Sequence, residues 1–428
     1  MIKAKLMKRL AFAMLIVFQT ICVVAQDNTG AEKKEKPVEV KISGFILNNM
    51  FLDTRKNVDA LDGLLLLFPQ PEMKNSNGED LNDVENATLL SFASRLKFAI
   101  TGPDALGAKT SGFMEYDFTA RANSVTLRFR QAWAKLAWEN SELLIGRAWH
   151  PMASMDVIPS VMALSIGAPF QPFNRSEQIT FTQKFGKTHL ILSALYQNDY
   201  TNNGPLGKSY TYQTNALLPN LHAQVKYKSD NIIAGVGFDY KLLKPRTEVI
   251  GINQIKSKAD ETIGSYAILA YGQVKSGKLT VSGKSIYAAN ISESLMPGAF
   301  AISSYDAFTG KEEYTNYKHF FIWGNISYGG ALKASLFSGY FKNLGASENI
   351  VAPTAALPST VFGLGEKIGE MIRIVPTVSY TSGKVILAFE IEHNIAAYGT
   401  INYARKGEIT GKSNVSSTRF SATMYYNF

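Results

Sequence analysis

Three short stretches of this chain place ionisable side chains at alternate positions. Arg95 and Lys97 alternate with Leu96 and Phe98, Glu115 and Asp117 with Met114, Tyr116 and Phe118, and Arg128 and Arg130 with Leu127 and Phe129. A repeat of two is the period of a β-strand, so each stretch carries its charges on one face and its apolar residues on the other. If the three strands are neighbours, their charged faces form a basic, an acidic and a basic rung on one wall. Such a wall breaks no bonds. Lining a pore, it sorts solutes by charge. Packed against itself, it is an ion-pair patch that stiffens the wall, and these residues allow both.

Other chemistry finds less support. Acyl transfer needs a nucleophile, a base and an orienting third group, and the five histidines, at 150, 189, 222, 319 and 393, are scattered without a spacing that singles one out. No nucleotide loop and no His or Cys metal constellation is legible, and no cofactor is implied. Glu79, Asp80, Asp83 and Glu85 crowd one segment and suit either a solvated acidic loop or a site for Ca²⁺ or lipid-bridging divalent ions. The formal charge of +9 is not gathered into basic runs with interleaved aromatics, so nucleic acid is not the natural partner.

The elements that must position these residues are strands. Short polar turns recur at 102–104, 139–141, 186–187, 229–231, 276–278, 329–330 and 382–384, each bracketed by alternating runs. Longer segments fall near 54–86, 121–124, 149–174, 199–219, 243–262, 291–315, 343–366 and 398–413. Seven turns and eight loops join sixteen strands. Weak alternation near 263–275 and 316–328 leaves fourteen or eighteen open, and Pro376 suggests a bulge. The fold class is all-β, a transmembrane antiparallel barrel of about sixteen strands over residues 38–428. That size leaves an aqueous channel rather than a filled core. The competing fold, a secreted soluble sandwich, fits so many hairpin-ordered strands poorly.

Both ends of the chain agree. Phe420, Ala422, Met424, Tyr426 and Phe428 share one face of a final strand, opposite Ser421, Thr423, Tyr425 and Asn427. At the other end, Lys3, Lys5, Lys8 and Arg9 precede an apolar run from Leu10 to Val24, and Val23-Val24-Ala25 offers a cleavage site. Residues 1–25 therefore read as a secretory signal peptide, and 26–37 as a short charged linker. Removing those four cations from +9 leaves +5. The only cysteine, Cys22, lies within the signal peptide, so the mature chain has no thiol. A mean hydropathy of −0.04 is no obstacle, because lipid-facing and lumen-facing residues cancel in the average.

The segment 149–174 follows Arg147 and runs from His150 through Asp156 and an apolar Val157–Phe170 stretch towards Arg175. An apolar loop is a liability on an outer surface. It is better explained by folding into the lumen and packing on the wall, which would set His150, Asp156 and Arg175 near the narrowest point. A subunit-contact loop is the alternative.

Several motifs resemble the DcaP-like outer-membrane porins, particularly the versions seen in Bacteroidetes. They are Ser43-Gly-Phe-Ile46, Phe51-Leu-Asp-Thr-Arg55, the Gly102–Gly112 segment before Glu115-Tyr-Asp-Phe118, Leu127-Arg-Phe-Arg130 and Gly146-Arg-Ala-Trp-His-Pro151. The likeness is concentrated in residues 43–185. It implies a sixteen-stranded, typically trimeric channel for small, often anionic organic solutes. The signal peptide, the alternating strands and the terminal aromatic point to a passive diffusion channel in a Gram-negative outer membrane, with lipid and lipopolysaccharide around it. The better-known members carry an N-terminal coiled coil, for which residues 26–37 are too short.

The expected pore lining is therefore Arg95, Lys97, Glu115, Asp117, Arg128, Arg130, Arg147, His150, Asp156 and Arg175. Over the whole inner wall, Lys226, Lys284, Lys333, Arg373 and Arg419 join the cations, and Asp239, Glu390 and Glu392 join the acids. That surplus predicts a lumen that concentrates anions or carboxylates. The rival readings are a fatty-acid-type barrel that passes apolar solutes sideways into lipid and, behind it, a lipid-acting outer-membrane enzyme.

Overall fold

The computed structural model describes residues 37–119, 126–162, 164–252, 254–355 and 357–428. The signal peptide, Cys22, nearly all of the linker and the 121–124 loop lie outside these residues.

Sixteen strands form one closed antiparallel barrel. In chain order they are β1 Glu39–Asp53, β2 in two parts (Asn86–Leu90 and Arg95–Thr101), β3 Lys109–Thr119, β4 Thr126–Ala137 and β5 Ser141–Trp149. Then follow β6 Arg175–Phe185, β7 Thr188–Tyr196, β8 Asn220–Lys228, β9 Ile232–Leu243, β10 Ile263–Ser276 and β11 Leu279–Ala289. The last five are β12 Glu312–Gly329, β13 Leu332–Ala346, β14 Ile368–Ser382, β15 Val385–Asn402 and β16 Glu408–Asn427. Each strand pairs with its sequence neighbours, and β1 closes on β16 with Phe45 opposite Asn427 and Asp53 opposite Arg419. Closure satisfies every edge, as a wall facing hydrocarbon requires.

All seven short turns lie where the spacing puts them, at one end of the barrel. The two weakly alternating segments are strands β10 and β12, which settles the count at sixteen. Two expectations fail. Residues 398–413 are mostly strand, because β15 and β16 pair as far as Asn402 opposite Glu408, leaving only a tight turn. Pro376 makes no bulge: it lies opposite Leu336, and the register towards β15 is the same on both sides of it. A proline only has to avoid donating to the ladder, and here it does so without an extra residue.

The outer surface is apolar. Leu127, Phe129, Ile179, Val236, Ile268, Leu387 and Phe389 are exposed on it. Aromatic residues ring its turn end: Phe185, Tyr227, Tyr328, Tyr380, Tyr426 and Phe428. The polar and charged residues point inwards, where a charge escapes the cost of about 2–4 kcal/mol it would meet at a bilayer midplane.

Two loops occupy the lumen. Residues 150–174, called L3, pack Val157, Ala168, Phe170 and Phe173 into the principal core cluster. The first long loop, L1 (residues 54–85), sends a small hairpin inwards, Asn57–Ala60 paired with Leu65–Pro69. Its apolar run Leu64 to Phe68 is wholly buried, with Leu64, Leu65, Leu67 and Phe68 in the same cluster. Nothing in the residue spacing marks this loop as buried.

Candidate functional site: the lumen wall and its two loops

The charged ladder forms as the alternation requires. Arg95 lies opposite Asp117 and Lys97 opposite Glu115 across β2 and β3, and Asp117 lies opposite Arg128 across β3 and β4. A register shift at Glu115/Tyr116 then lets Gln131 rather than Arg130 face Glu115. This is a β-bulge, an extra residue that re-aims side chains. It turns Arg130 fully onto the acids: Nε donates to Glu115 at 2.7 Å and Nη1 to Asp117 at 2.6 Å. Arg128 grips Asp117 through two bonds of 2.9 and 2.8 Å. Arg95 and Lys97 stand farther from Glu115, at 3.7 and 4.0 Å, with both cations over the Phe45 ring.

Four cations thus share two carboxylates. Glu115, Asp117 and Arg130 are buried. The ladder is therefore an ion-pair patch and an uncompensated positive surface together. Nε of Arg95 and Nη2 of Arg130 have no protein acceptor among the described residues.

The other expected residues disperse around this patch. Arg147 donates through Nε to the Arg130 carbonyl at 3.1 Å and pairs with Glu177 at 3.3 Å and with Asp199. Arg175 has no carboxylate partner among the described residues. Its guanidinium lies among the rings of Trp149, Phe173 and Tyr200, 4.7–5.1 Å from their centroids, and donates to the Tyr200 hydroxyl. Asp156 is tied to Lys226 at 2.7 Å and Lys228 at 3.0 Å. Burial works against its charge, but these two ammonium groups outweigh it and hold its carboxyl below the ordinary range. His150 meets Asp239 at 3.5 Å, and the same oxygen is 3.2 Å from His222 Nδ1.

L3 is pinned by side chains that the sequence assigned to the lumen field. Lys284 donates to the carbonyls of Met152 and Ala153 at 3.0 and 2.8 Å. Lys333 and Ser335 hold Ser160 at 3.0 and 2.8 Å. Glu390 accepts from the Met162 amide at 2.8 Å, and the Tyr425 hydroxyl donates to the Met162 carbonyl at 2.8 Å. Phe170 sits on Gly339 of β13, where a β-carbon would lie 2.5 Å from the ring. These anchors run from β8 round to β16, and none of them belongs to β2–β4. The ladder wall thus stands opposite the loop.

Arg373 joins the two loops. It donates to the Ala168 carbonyl of L3 at 2.6 Å, and to the Leu66 and Leu67 carbonyls of L1 at 2.8 and 2.9 Å. Arg419 pairs with Asp53 at 2.7 Å and donates to the L1 carbonyl of Gly63 at 2.9 Å. The arithmetic of the inner wall changes accordingly. Arg373, Arg419, Lys284 and Lys333 are inward and all donate to loop backbone or hydroxyl groups, the two arginines pairing with Glu392 and Asp53 as well. Hydrogen bonds to neutral groups leave a charge in place, so Lys284 and Lys333 stay in the surplus with the ladder and Arg175, whereas Arg373 and Arg419 are set against Glu392 and Asp53. Beside the ladder, a cavity of about 450 Å³ is lined by Asp59, Leu61, Leu67, Arg128, Tyr200 and Lys208, among others.

The acids of the outer part of L1 are occupied locally. Glu79 accepts from Asn75, and Asp80 pairs with Arg55 at 2.6 Å. Slight burial raises the Asp80 carboxyl, but the Met73 amide, Arg55 and the Asn82 amide together bring it down to about 2.

No protein-family model matches the chain, and a comparison with curated proteins finds no match. Solved structures do resemble it. The outer-membrane channel DcaP of Acinetobacter baumannii superimposes with a TM-score of 0.64 at 16% identity, covering 94% of this chain and all of that one. The barrel has the fold of an outer-membrane channel. OmpT of Vibrio cholerae matches with a TM-score of 0.53 at 9% identity, over 93% of this chain and all of that one. OmpF of Salmonella typhi, in complex with daunomycin, gives 0.50 at 10% identity, over 91% and 97%. At these identities the likeness is one of fold.

Proposed function

We propose that this chain is a passive diffusion porin of a Gram-negative outer membrane, selective for small anions and carboxylates. The observation that carries the reading is the arrangement of the lumen: four cations on two carboxylates along β2–β4, opposite a loop pinned to the remaining wall. In a narrow passage with low-dielectric walls, such a surplus raises the local concentration of anions. The infolded L1 and L3 restrict the passage to small solutes. The motif resemblance supports placing the chain with DcaP-like porins of the Bacteroidetes type, exported by its signal peptide and surrounded by outer-membrane lipid and lipopolysaccharide. A homotrimer is the expected assembly, and a similar barrel, OmpT of Vibrio cholerae, occurs in a trimer form. Every neighbouring pair of strands remains hydrogen-bonded, which counts against sideways release into lipid.

Planar-bilayer recording tests both parts. Purified, folded protein should give ohmic steps, and in a KCl gradient at low salt the reversal potential should have the sign of anion preference. The preference should fade as the Debye length shrinks from about 10 Å at 0.1 M to about 3 Å at 1 M. Absence of steps refutes the channel. Cation preference, or no change after replacing Arg128 and Arg130 with Ala, refutes the role of the ladder.

A further inference from the structure

The turn at 229–231 folds β8 back on β9 so that His222 lies directly opposite Asp239, both facing inwards. His150, the first residue of L3, comes down on this pair from above. Its ring stands nearly perpendicular to that of His222, at 87° with centroids 5.8 Å apart. All three residues are buried. Their ligand atoms lie within 4.8 Å of one another, with His222 Nδ1 3.2 Å and His150 Nε2 3.5 Å from the same carboxylate oxygen.

Those separations have a chemical meaning. Zinc binds imidazole nitrogen and carboxylate oxygen at about 2.0–2.2 Å in tetrahedral geometry, which sets neighbouring ligand atoms about 3.3 Å apart. The two shorter separations match, and the imidazoles need only close slightly on each other. The outer side of His222 is also arranged for a metal ligand. Its Nε2 faces Gln224 Oε1 at 3.2 Å, and the Gln224 amide donates in turn to the Tyr271 hydroxyl at 2.7 Å. With the proton held on Nε2 by that acceptor, the Nδ1 lone pair points at a carboxylate, and the two attract only with a cation between them. A second partner that fixes the tautomer in this way is the usual support of a ligating histidine.

We propose that His150, His222 and Asp239 form a binding site for one divalent transition-metal ion, Zn²⁺ by its ligand set, that clamps the base of L3 to the barrel wall. Two imidazoles and one carboxylate leave the fourth position to water. Loading requires His150 to carry its proton on Nδ1. It then gives up the bond it accepts from the Met152 amide at 3.2 Å, which caps the first turn of L3. Metal occupancy and the start of the loop are therefore coupled. Because the site is buried, the ion enters during folding or when L3 lifts.

The test uses the full chain without an affinity tag, refolded in detergent after chelation, in the presence of one equivalent of Co²⁺ or Zn²⁺. The expected result is a saturable visible absorption band of four-coordinate Co²⁺ at one ion per chain, displaced by Zn²⁺. His222→Gln should weaken binding at least 100-fold. Gln224→Leu, which removes the supporting acceptor and its link to Tyr271 but no ligand, should weaken it by about 10–100-fold. His150→Gln, in the loop rather than the wall, serves if the His222 variant does not fold. Heat-modifiability on a gel confirms folding in each case. A folded barrel that takes up no Co²⁺, whose three groups therefore share only protons, overturns the proposal. So does a band that survives both histidine substitutions.

Discussion

Replacing Arg373 with Met should release both lumen loops at once. The guanidinium is 1% exposed and holds three backbone carbonyls, Ala168 from L3 and Leu66 and Leu67 from L1, besides Glu392 at 3.4 Å and Asn394. A hydrogen bond to a charged group contributes about 1.5–3 kcal/mol. Three that share one donor group do not add fully, so about 4 kcal/mol of loop anchoring is a reasonable figure. That is about a thousandfold shift in the balance between docked and released loops. Removing the cation also leaves Glu392 buried and unpaired, which by itself destabilises. The informative variant therefore carries Glu392→Gln as well, with Glu392→Gln alone as control. In planar bilayers the double variant should show a larger unit conductance and frequent transitions between levels. Protease added to detergent-solubilised protein should cut within 54–69 and 164–174. Arg373→Lys should fall between, since one ammonium does not span both loops. Quiet traces at the parental conductance, with the loops still protected, would show that L1 and L3 are held by packing alone.

Gly339→Leu should expel Phe170 from its seat on β13 and weaken or block the L3 fold, seen as altered conductance in a barrel that still shows heat-modifiability; a parental channel would mean that the contact is incidental. Glu115→Gln leaves Arg130 buried with a halved acid set and should cost about 3–5 kcal/mol, the range for breaking a buried pair, measured as a lower midpoint of urea unfolding; an unchanged midpoint would argue for solvated rungs. The Asp80 carboxyl is lowered in the folded protein, so its contribution to L1 is complete above about pH 4 and is lost as pH falls through about 2. Pepsin should therefore spare residues 72–83 at pH 4 and cut them near pH 2, and cutting already at pH 4 would contradict the Arg55–Asp80 tether. Asp156 is lowered as well, so the link from L3 to Lys226 and Lys228 should not change between pH 5 and pH 8; Asp156→Asn should mimic its loss at acid pH in proteolysis of L3.

Much of the wall was legible because a strand repeats every two residues and a misplaced charge would face lipid. Arg95, Lys97, Glu115, Asp117, Arg128 and Arg130 came out on one wall for that reason alone. The bulge that brings Arg130 onto two acids was not legible, since it depends on how β3 and β4 accommodate one another. The buried hairpin of L1 could have been suspected from Leu64-Leu-Leu-Leu-Phe68, a run too apolar for a surface loop and too short to cross a membrane. The anchoring roles of Lys284, Lys333, Arg373 and Arg419 are not legible, because the loop groups they hold are carbonyl or hydroxyl groups, which carry no formal charge to mark them. His222 and Asp239 could have been paired, since a hairpin centred on Asp230 and Asn231 sets them opposite each other. His150 could not, because a loop has no register.

Closure of the barrel also dictates when folding can finish. Phe428 exchanges backbone bonds with Gly44, at 3.2 and 3.1 Å, and its ring covers that glycine so closely that a β-carbon there would lie 2.6 Å from it. Joining positions 44 and 428 closes a loop of nearly the whole chain, an entropic cost of about 5 kcal/mol beyond a constant term. The seam between β1 and β16 repays it only when β16 is complete. A nascent chain therefore holds two unpaired sheet edges until its last strand arrives, and must be kept from pairing with its neighbours until then. Without β16 the sealed cylinder becomes an open sheet with two adhesive edges, so the whole wall depends on the nine residue pairs of that one seam.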